Sequence, residues 1–168
     1  DTTAASTSTT APDTTVLETE ALPEVWENAN FDGYKCTILL GLTTLGRNEF
    51  ITTDSTTVFG SAISKRNSIL ADNFGIIIET EEHFTGGFSA NTVLAQQYAS
   101  GDTDYDFSIA RILDAAKLTV NGHLYDLKDL EHLDVSKPWW DQTVVNDSTV
   151  VGSLYFVSGD ISTLVNDF

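Results

Sequence analysis

Phe31-Asp32-Gly33-Tyr34-Lys35-Cys36-Thr37-Ile38-Leu39-Leu40-Gly41 is the stretch whose reading decides the fold. Asp32-Gly33 signals a turn, and the short apolar run behind it predicts a first strand over residues 34–41. Downstream, Ser55 or Thr56 can cap a helix running to about residue 73. Phe59, Ala62, Ile63, Ile69, Leu70 and Phe74 recur there at helical spacing, with Lys65 and Arg66 between them. Gly75 ends that helix, and Ile76-Ile77-Ile78 predicts a second buried strand. Asn91 can cap a helix through Tyr98, stopped by Ser100-Gly101-Asp102. A third strand is expected over residues 105–110 and a helix over 111–117, followed by an Asn121-Gly122 turn.

Strand and helix in alternation are the pattern of an α/β fold, a doubly wound and mainly parallel sheet flanked by helices on both faces. The tail breaks that pattern. Thr143-Val144-Val145 and residues 150–157, separated by Asn146-Asp147-Ser148, predict a C-terminal β-hairpin. Residues 42–50 read as a loop after the first strand, and loops in that position carry ligand contacts in many α/β folds. Leu124, Leu127, Leu130 and Leu133 space out a further apolar edge.

The 168 residues carry 25 acidic and only 8 basic side chains, a formal net charge of -17. That balance argues against nucleic acid and against anionic membrane surfaces, both of which require clustered Lys and Arg. No apolar run approaches the roughly 20 residues needed to span a bilayer. The single cysteine, Cys36, excludes an internal disulfide and reads as a small buried residue in the first strand. Residues 1–15 are Thr, Ser and Ala with little to bury, and residues 16–30 are acidic; together residues 1–30 are expected to form a disordered leader. No charged segment followed by an apolar one marks a secretion signal there.

Catalytic signatures are sparse. His83, His123 and His132 are far apart in sequence, and none has a second ligand at metal-binding spacing. Asp102-x-Asp104-x-Asp106 alternates oxygen ligands as a calcium loop does, yet Phe107 stands where the loop's glycine belongs and Leu113 where its glutamate belongs. No nucleophile elbow, phosphate loop or zinc-protease helix occurs, and no nucleophile–base pair can be nominated, so no enzymatic activity and no cofactor is expected. Trp139-Trp140, behind Pro138, is either packed core or a platform for a ligand.

An ordered set of segments resembles a known family. It runs from the Phe-x-Gly-Tyr opening at Phe31, through Lys65-Arg66-Asn67, Ser100-Gly101-Asp102, Tyr105-Asp106 and Leu124-Tyr125-Asp126-Leu127. It continues with Ser136-Lys137-Pro138-Trp139-Trp140-Asp141 and ends in Gly152-x-Leu154-Tyr155-Phe156-x-x-Gly159-Asp160. Together these resemble the N-terminal lobe of bacterial extracellular solute-binding proteins, the sugar-type family that serves ABC importers.

The resemblance implies a type II periplasmic-binding fold, in which ligand lies between two lobes, with residues 31–168 as the first lobe and the second lobe absent. It also implies an extracellular lipoprotein that captures a small solute, a sugar being expected, and hands it to the permease subunits of the importer. Contact with the membrane would run only through a lipid anchor outside this sequence. The contacts implied for ligand are Thr43, Thr44, Arg47 and Asn48 after the first strand, and Ala110 and Arg111 after the third. Ser158, Gly159 and Asp160 complete that set, and Trp140, from its place before the predicted hairpin, is added as a ring expected at the cleft mouth. A stand-alone surface interaction or adhesion domain is the competing expectation.

Overall fold

The computed structural model describes residues 26–41, 47–83, 90–102 and 104–160. Of the expected disordered leader, residues 1–25 lie outside them, as do the candidate contacts Thr43 and Thr44; residues 26–30 are described, with Trp26 packed near Phe31 and His132. Three parallel strands form the sheet: β1 (Tyr34–Leu40), β2 (Ile76–Glu82) and β3 (Phe107–Ile109), in the order β2-β1-β3. The helices are α1 (Arg47–Phe50), α2 (Val58–Phe74), α3 (Ala90–Ser100), α4 (Ile112–Val120) and α5 (Gln142–Asp147). The α/β alternation read from the sequence is therefore present, with parallel pairing.

Strand order explains the layering. The chain leaves β1 toward β2 and then crosses back past β1 to reach β3. With right-handed crossovers, the near-universal hand for such connections, α2 and α3 must lie on opposite faces of the sheet. Packing agrees with this: α2 lies against β2, whereas α3 packs against α4, the helix that follows β3. β1 is covered on both faces, and Ile38, Leu39 and Leu40 are fully buried. Phe50 joins Ile38 and Leu40 in the core, with Ile78 and Ile109 packed around them.

Local chemistry sets the ends of α2. Thr57 is extended at the N-cap, and its hydroxyl accepts from the Gly60 N–H at 3.0 Å, satisfying one of the orphan donors of the first turn. Gly75 closes the helix in the left-handed region at φ 64°, its N–H turned back to the last carbonyls. Gly75 then leads directly into β2. Because β2 is an edge strand, Ile77 remains 44% exposed, so the Ile-rich strand is half-buried where the sequence predicts full burial. Cys36 is likewise half-buried, and that burial pushes its thiol pKa up, with the nearby Asp106 charge adding to the effect.

Asp106 fixes the register of β3 on β1. Its N–H donates to the Thr37 carbonyl at 3.0 Å, while its carboxylate accepts from the Thr37 N–H at 2.8 Å and from the Tyr34 hydroxyl. The other acidic residues of the Asp102-x-Asp104-x-Asp106 run point elsewhere. Asp102 accepts from the Ser100 hydroxyl at 2.6 Å and Asp104 from the Gln97 amide at 3.0 Å. The run is three separate structural carboxylates. Among the described residues, no group of three His, Cys, Asp or Glu side chains could hold a metal ion.

Five sequence expectations are corrected. The cap of α2 is Thr57, where Ser55 or Thr56 is expected. The predicted C-terminal β-hairpin does not form: residues 142–147 are α5, and residues 150–157 hold only a single antiparallel bridge, Val150 to Ser153. The cause is Asp141, whose carboxylate accepts from the Thr143 and Val144 N–H groups at 2.9 and 3.2 Å and nucleates a helical turn across the β-branched pair. Residues 47–50 are helical where a loop is expected. Asn91 lies inside α3 instead of capping it. The third strand is only three residues long because residues 104–106 are spent on the contacts just described.

Gly41 follows β1 and shows how closely α3 approaches. A Cβ on Gly41 would run into the Ala90 methyl and sit 3.3 Å from the Ile109 carbonyl oxygen. Gly41→Ala should therefore destabilise the fold by about 1–3 kcal/mol, the usual cost of overpacking. Urea unfolding should show a lower midpoint with unchanged slope, and an unaltered midpoint would show that α3 does not press on the strand end.

Candidate functional site

In an open parallel sheet, ligands bind beyond the carboxyl ends of the strands, where the strand order reverses. Here that point is the crevice between β1 and β3. Gly41 ends one side, hydrogen-bonding from its N–H to the Ile109 carbonyl at 2.9 Å, and Ala110-Arg111 ends the other. Ala90, at the start of α3, is buried against Gly41. A cleft of about 300 Å³ opens where α3 and α4 begin, lined by Asn91, Thr92, Arg111, Leu113, Asp114 and Lys117. Five of those six side chains are polar.

The α4 side is built from one stripe. Arg111, Asp114 and Lys117 recur every three residues, and side chains at that spacing are neighbours on a helix surface. Arg111 is the N-cap, in extended conformation, and its carbonyl receives the first helical N–H groups, from Asp114 and Ala115. Asp114 falls in the first turn, where the helix dipole favours negative charge. This offsets part of the cost of its burial, and it is only 4% exposed.

Across the cleft, α3 contributes Asn91. Its Nδ2 donates to Asp114 Oδ1 at 2.6 Å. A carboxylate can only accept, so this contact fixes which way the amide points and leaves Asn91 Oδ1 as an acceptor. That oxygen is buried and has no hydrogen-bond partner. A buried acceptor left unsatisfied costs about 1–3 kcal/mol. Among the described residues, Asn91 is the only side chain that hydrogen-bonds to Asp114, and the ammonium of Lys117 makes no ion pair or hydrogen bond.

Of the expected contacts, Arg111 lines the cleft, and Ala110 precedes it at the end of β3. Arg47 and Asn48 open α1, and their side chains lie outside the described residues. Trp140, Ser158, Gly159 and Asp160 are brought together in a different place. Trp140 bridges Gly159, the Asp141 N–H donates to the Ser158 carbonyl at 2.8 Å, and the Asp160 N–H donates to the Trp139 carbonyl at 2.8 Å. Gly159 is buried so tightly that a Cβ would meet the Trp139 carbonyl oxygen. None of these four residues lines the cleft.

The tryptophan pair divides by environment. Trp140 is half-buried, with its indole N–H on the Asp134 carbonyl at 3.1 Å, while Trp139 is 41% exposed with the Lys137 ammonium 5.7 Å from its ring. Sequence reasoning missed Asn91, Asp114 and Lys117. Asp114 and Lys117 could have been found by extending the stripe from Arg111 at helical spacing.

A second polar cluster involves the end of β2. Glu81 Oε1 lies 2.8 Å from His83 Nε2, and the Tyr105 hydroxyl lies 3.4 Å from the same nitrogen. His83 and then Tyr105, by hydrogen bonding, hold the Glu81 carboxyl below its ordinary range. Burial first, then the Glu81 carboxylate, pushes the Tyr105 phenol up to about 12. The remaining histidines have aromatic company: His132 meets Trp26 edge-on at 5.3 Å, and His123 stacks on Tyr98 at 4.5 Å.

Compared with known proteins, the chain matches no family model, no curated protein and no solved structure.

The Tyr105 phenol ionises near ~10 when unfolded and at about 12 when folded. Its contribution to stability is thus complete below the unfolded value and lost as pH rises through the folded one. Phenolate absorbance should show Tyr105 titrating late, and its share of the late absorbance should vanish in Tyr105→Phe, leaving that of Tyr34, whose phenol is also raised by Asp106. Loss of a different step would mean that the Glu81 cluster does not hold this phenol.

Proposed function

We propose that the chain is a solute-binding lobe of the type II periplasmic-binding kind, which captures a small polar solute, a carbohydrate, for delivery to an ABC-type membrane importer. The observation that supports this reading is the cleft itself. It lies by the switch point of a β2-β1-β3 parallel sheet and is lined by Asn91, Thr92, Arg111, Asp114 and Lys117. Such sites use a few convergent polar groups to fix orientation, and planar Asn, Asp and Arg side chains suit paired hydroxyls. No covalent chemistry is needed. A facing lobe would close over the solute by a hinge, and the closed form would be the one the permease reads.

The alternative is a surface interaction domain. It draws support from Val58, Ile112, Leu113, Val120, Tyr125 and Val151, large apolar side chains that are each more than half exposed. Exposed large apolar side chains are a feature of protein contacts.

A thermal-shift screen of the chain against mono- and disaccharides, amino acids and short peptides separates the two readings. At a ligand concentration about a hundred times Kd, binding to the native state adds about 2.7 kcal/mol and raises Tm. At least one carbohydrate should raise Tm, and Arg111→Ala should remove most of that rise while leaving the unliganded Tm within a degree or so. A rise with peptides alone, or with nothing, would favour the interaction domain.

A further inference from the structure

We infer that the cleft between α3 and α4 takes an acidic sugar, a hydroxylated ring bearing a carboxylate such as a uronic acid, in preference to its neutral parent. This rests on the proposed solute-binding reading and narrows the ligand class of that same site. The inference comes from how charge is distributed. Only 8 of the 168 residues are Lys or Arg, and two of those eight, Arg111 and Lys117, line one cleft of about 300 Å³.

Most of the other described cations have tasks in the fold. Lys35 pairs with Glu79 at 2.7 Å, Arg66 donates to the Phe50 carbonyl at 3.0 Å, and Lys128 donates to the Gly152 carbonyl at 2.9 Å. Lys117 does none of this: among the described residues its ammonium has no ion pair or hydrogen bond. Arg111 carries five donors, more than one protein partner can use, so it can also meet a ligand oxygen.

The floor of the cleft has the opposite character. Asp114 is almost fully buried, receives its one side-chain hydrogen bond on Oδ1, and leaves Oδ2 to the cleft that it lines. Asn91, beside it, adds a further acceptor, Oδ1, that is buried and lacks a partner. Two acceptors beside two cations call for a ligand that presents donors and a negative charge together. A neutral sugar supplies only the donors, and a simple anion supplies only the charge.

On α4 the order is Arg111, Asp114, Lys117, one step of three residues each, so the acceptor sits between the cations. Neighbours at that spacing are about 5–6 Å apart at Cβ. That is comparable with the span of one pyranose ring, so a hydroxyl can sit on Asp114 while the carboxylate reaches Lys117 or Arg111.

Calorimetric titration of the full chain with D-glucuronate and D-galacturonate, against D-glucose and D-galactose, tests this directly. The uronates should bind at least about tenfold tighter than their parents, as expected where one added charge-assisted contact forms. Lys117→Gln, a change at an exposed helix position, should reduce uronate affinity about tenfold and leave the unliganded Tm unchanged. Raising the ionic strength should weaken the uronates only. Equal affinity for neutral and acidic sugars, or an unaffected Lys117→Gln, overturns the ligand class while the carbohydrate-binding reading stands. Absence of heat with all four sugars, together with no Tm shift from any carbohydrate, overturns both.

Discussion

The structure depends on covering one strand from both sides. Ile38, Leu39 and Leu40 are consecutive and all fully buried, so side chains on both faces of β1 must be shielded by other elements. A run of alternating side chains cannot achieve this against a single apolar layer. The chain answers by placing β2 and β3 on the two edges of β1 and helices on the two faces. Reversal of strand order around β1 is a consequence of that demand, and the crevice is a consequence of the reversal. The position of the candidate site thus follows from the burial of three residues remote from its polar groups.

Two small details let that arrangement close. Gly41 removes the side chain that would hold α3 away from the strand end, and Asp106 locks β3 by bonding to Thr37 through both its backbone and its carboxylate. Both contacts link β1 to segments about 50 to 70 residues distant in sequence. Loop-closure entropy grows slowly with such separation, so a few well-made contacts suffice to hold it. Burial of the Asp106 contacts is modest, and their value is register more than energy. A slip of one residue would turn Phe107 and Ile109 to the wrong face.

The parts of this fold legible in the sequence are those where local preference and tertiary demand agree. Strand β1, helix α2 with its Gly75 stop, and the presence of helix α4 were legible because apolar spacing and turn residues point the same way, although α2 is capped by Thr57 and α4 runs on to Val120. The β-hairpin failed because Val144 and Val145 suggest a strand, while Asp141 two and three residues ahead of Thr143 and Val144 offers two hydrogen bonds to a helical turn. A cap contributes about 1 kcal/mol, comparable with the whole span of strand propensities, and so it can decide a six-residue element. Within the cleft, Arg111 was legible from its place after β3. Asn91 was not, because its partner Asp114 lies 23 residues away and only the packing of α3 on α4 brings them together.

A charge of -17 disfavours an anionic ligand at long range, and the resolution lies in distance. At physiological ionic strength, charges separated by more than about 8 Å are largely screened from one another by salt. The acidic surface as a whole therefore slows the approach of an anion without deciding its affinity. What decides affinity is the local set, and in the cleft that set is two cations around one carboxylate. Asp114 is held by the Asn91 amide in the first turn of α4, where the helix dipole favours its charge. An acidic exterior with a locally cationic cleft then discriminates by fit. A diffuse polyanion is repelled over its whole length, while a single carboxylate on a small hydroxylated ring can be seated where the field reverses.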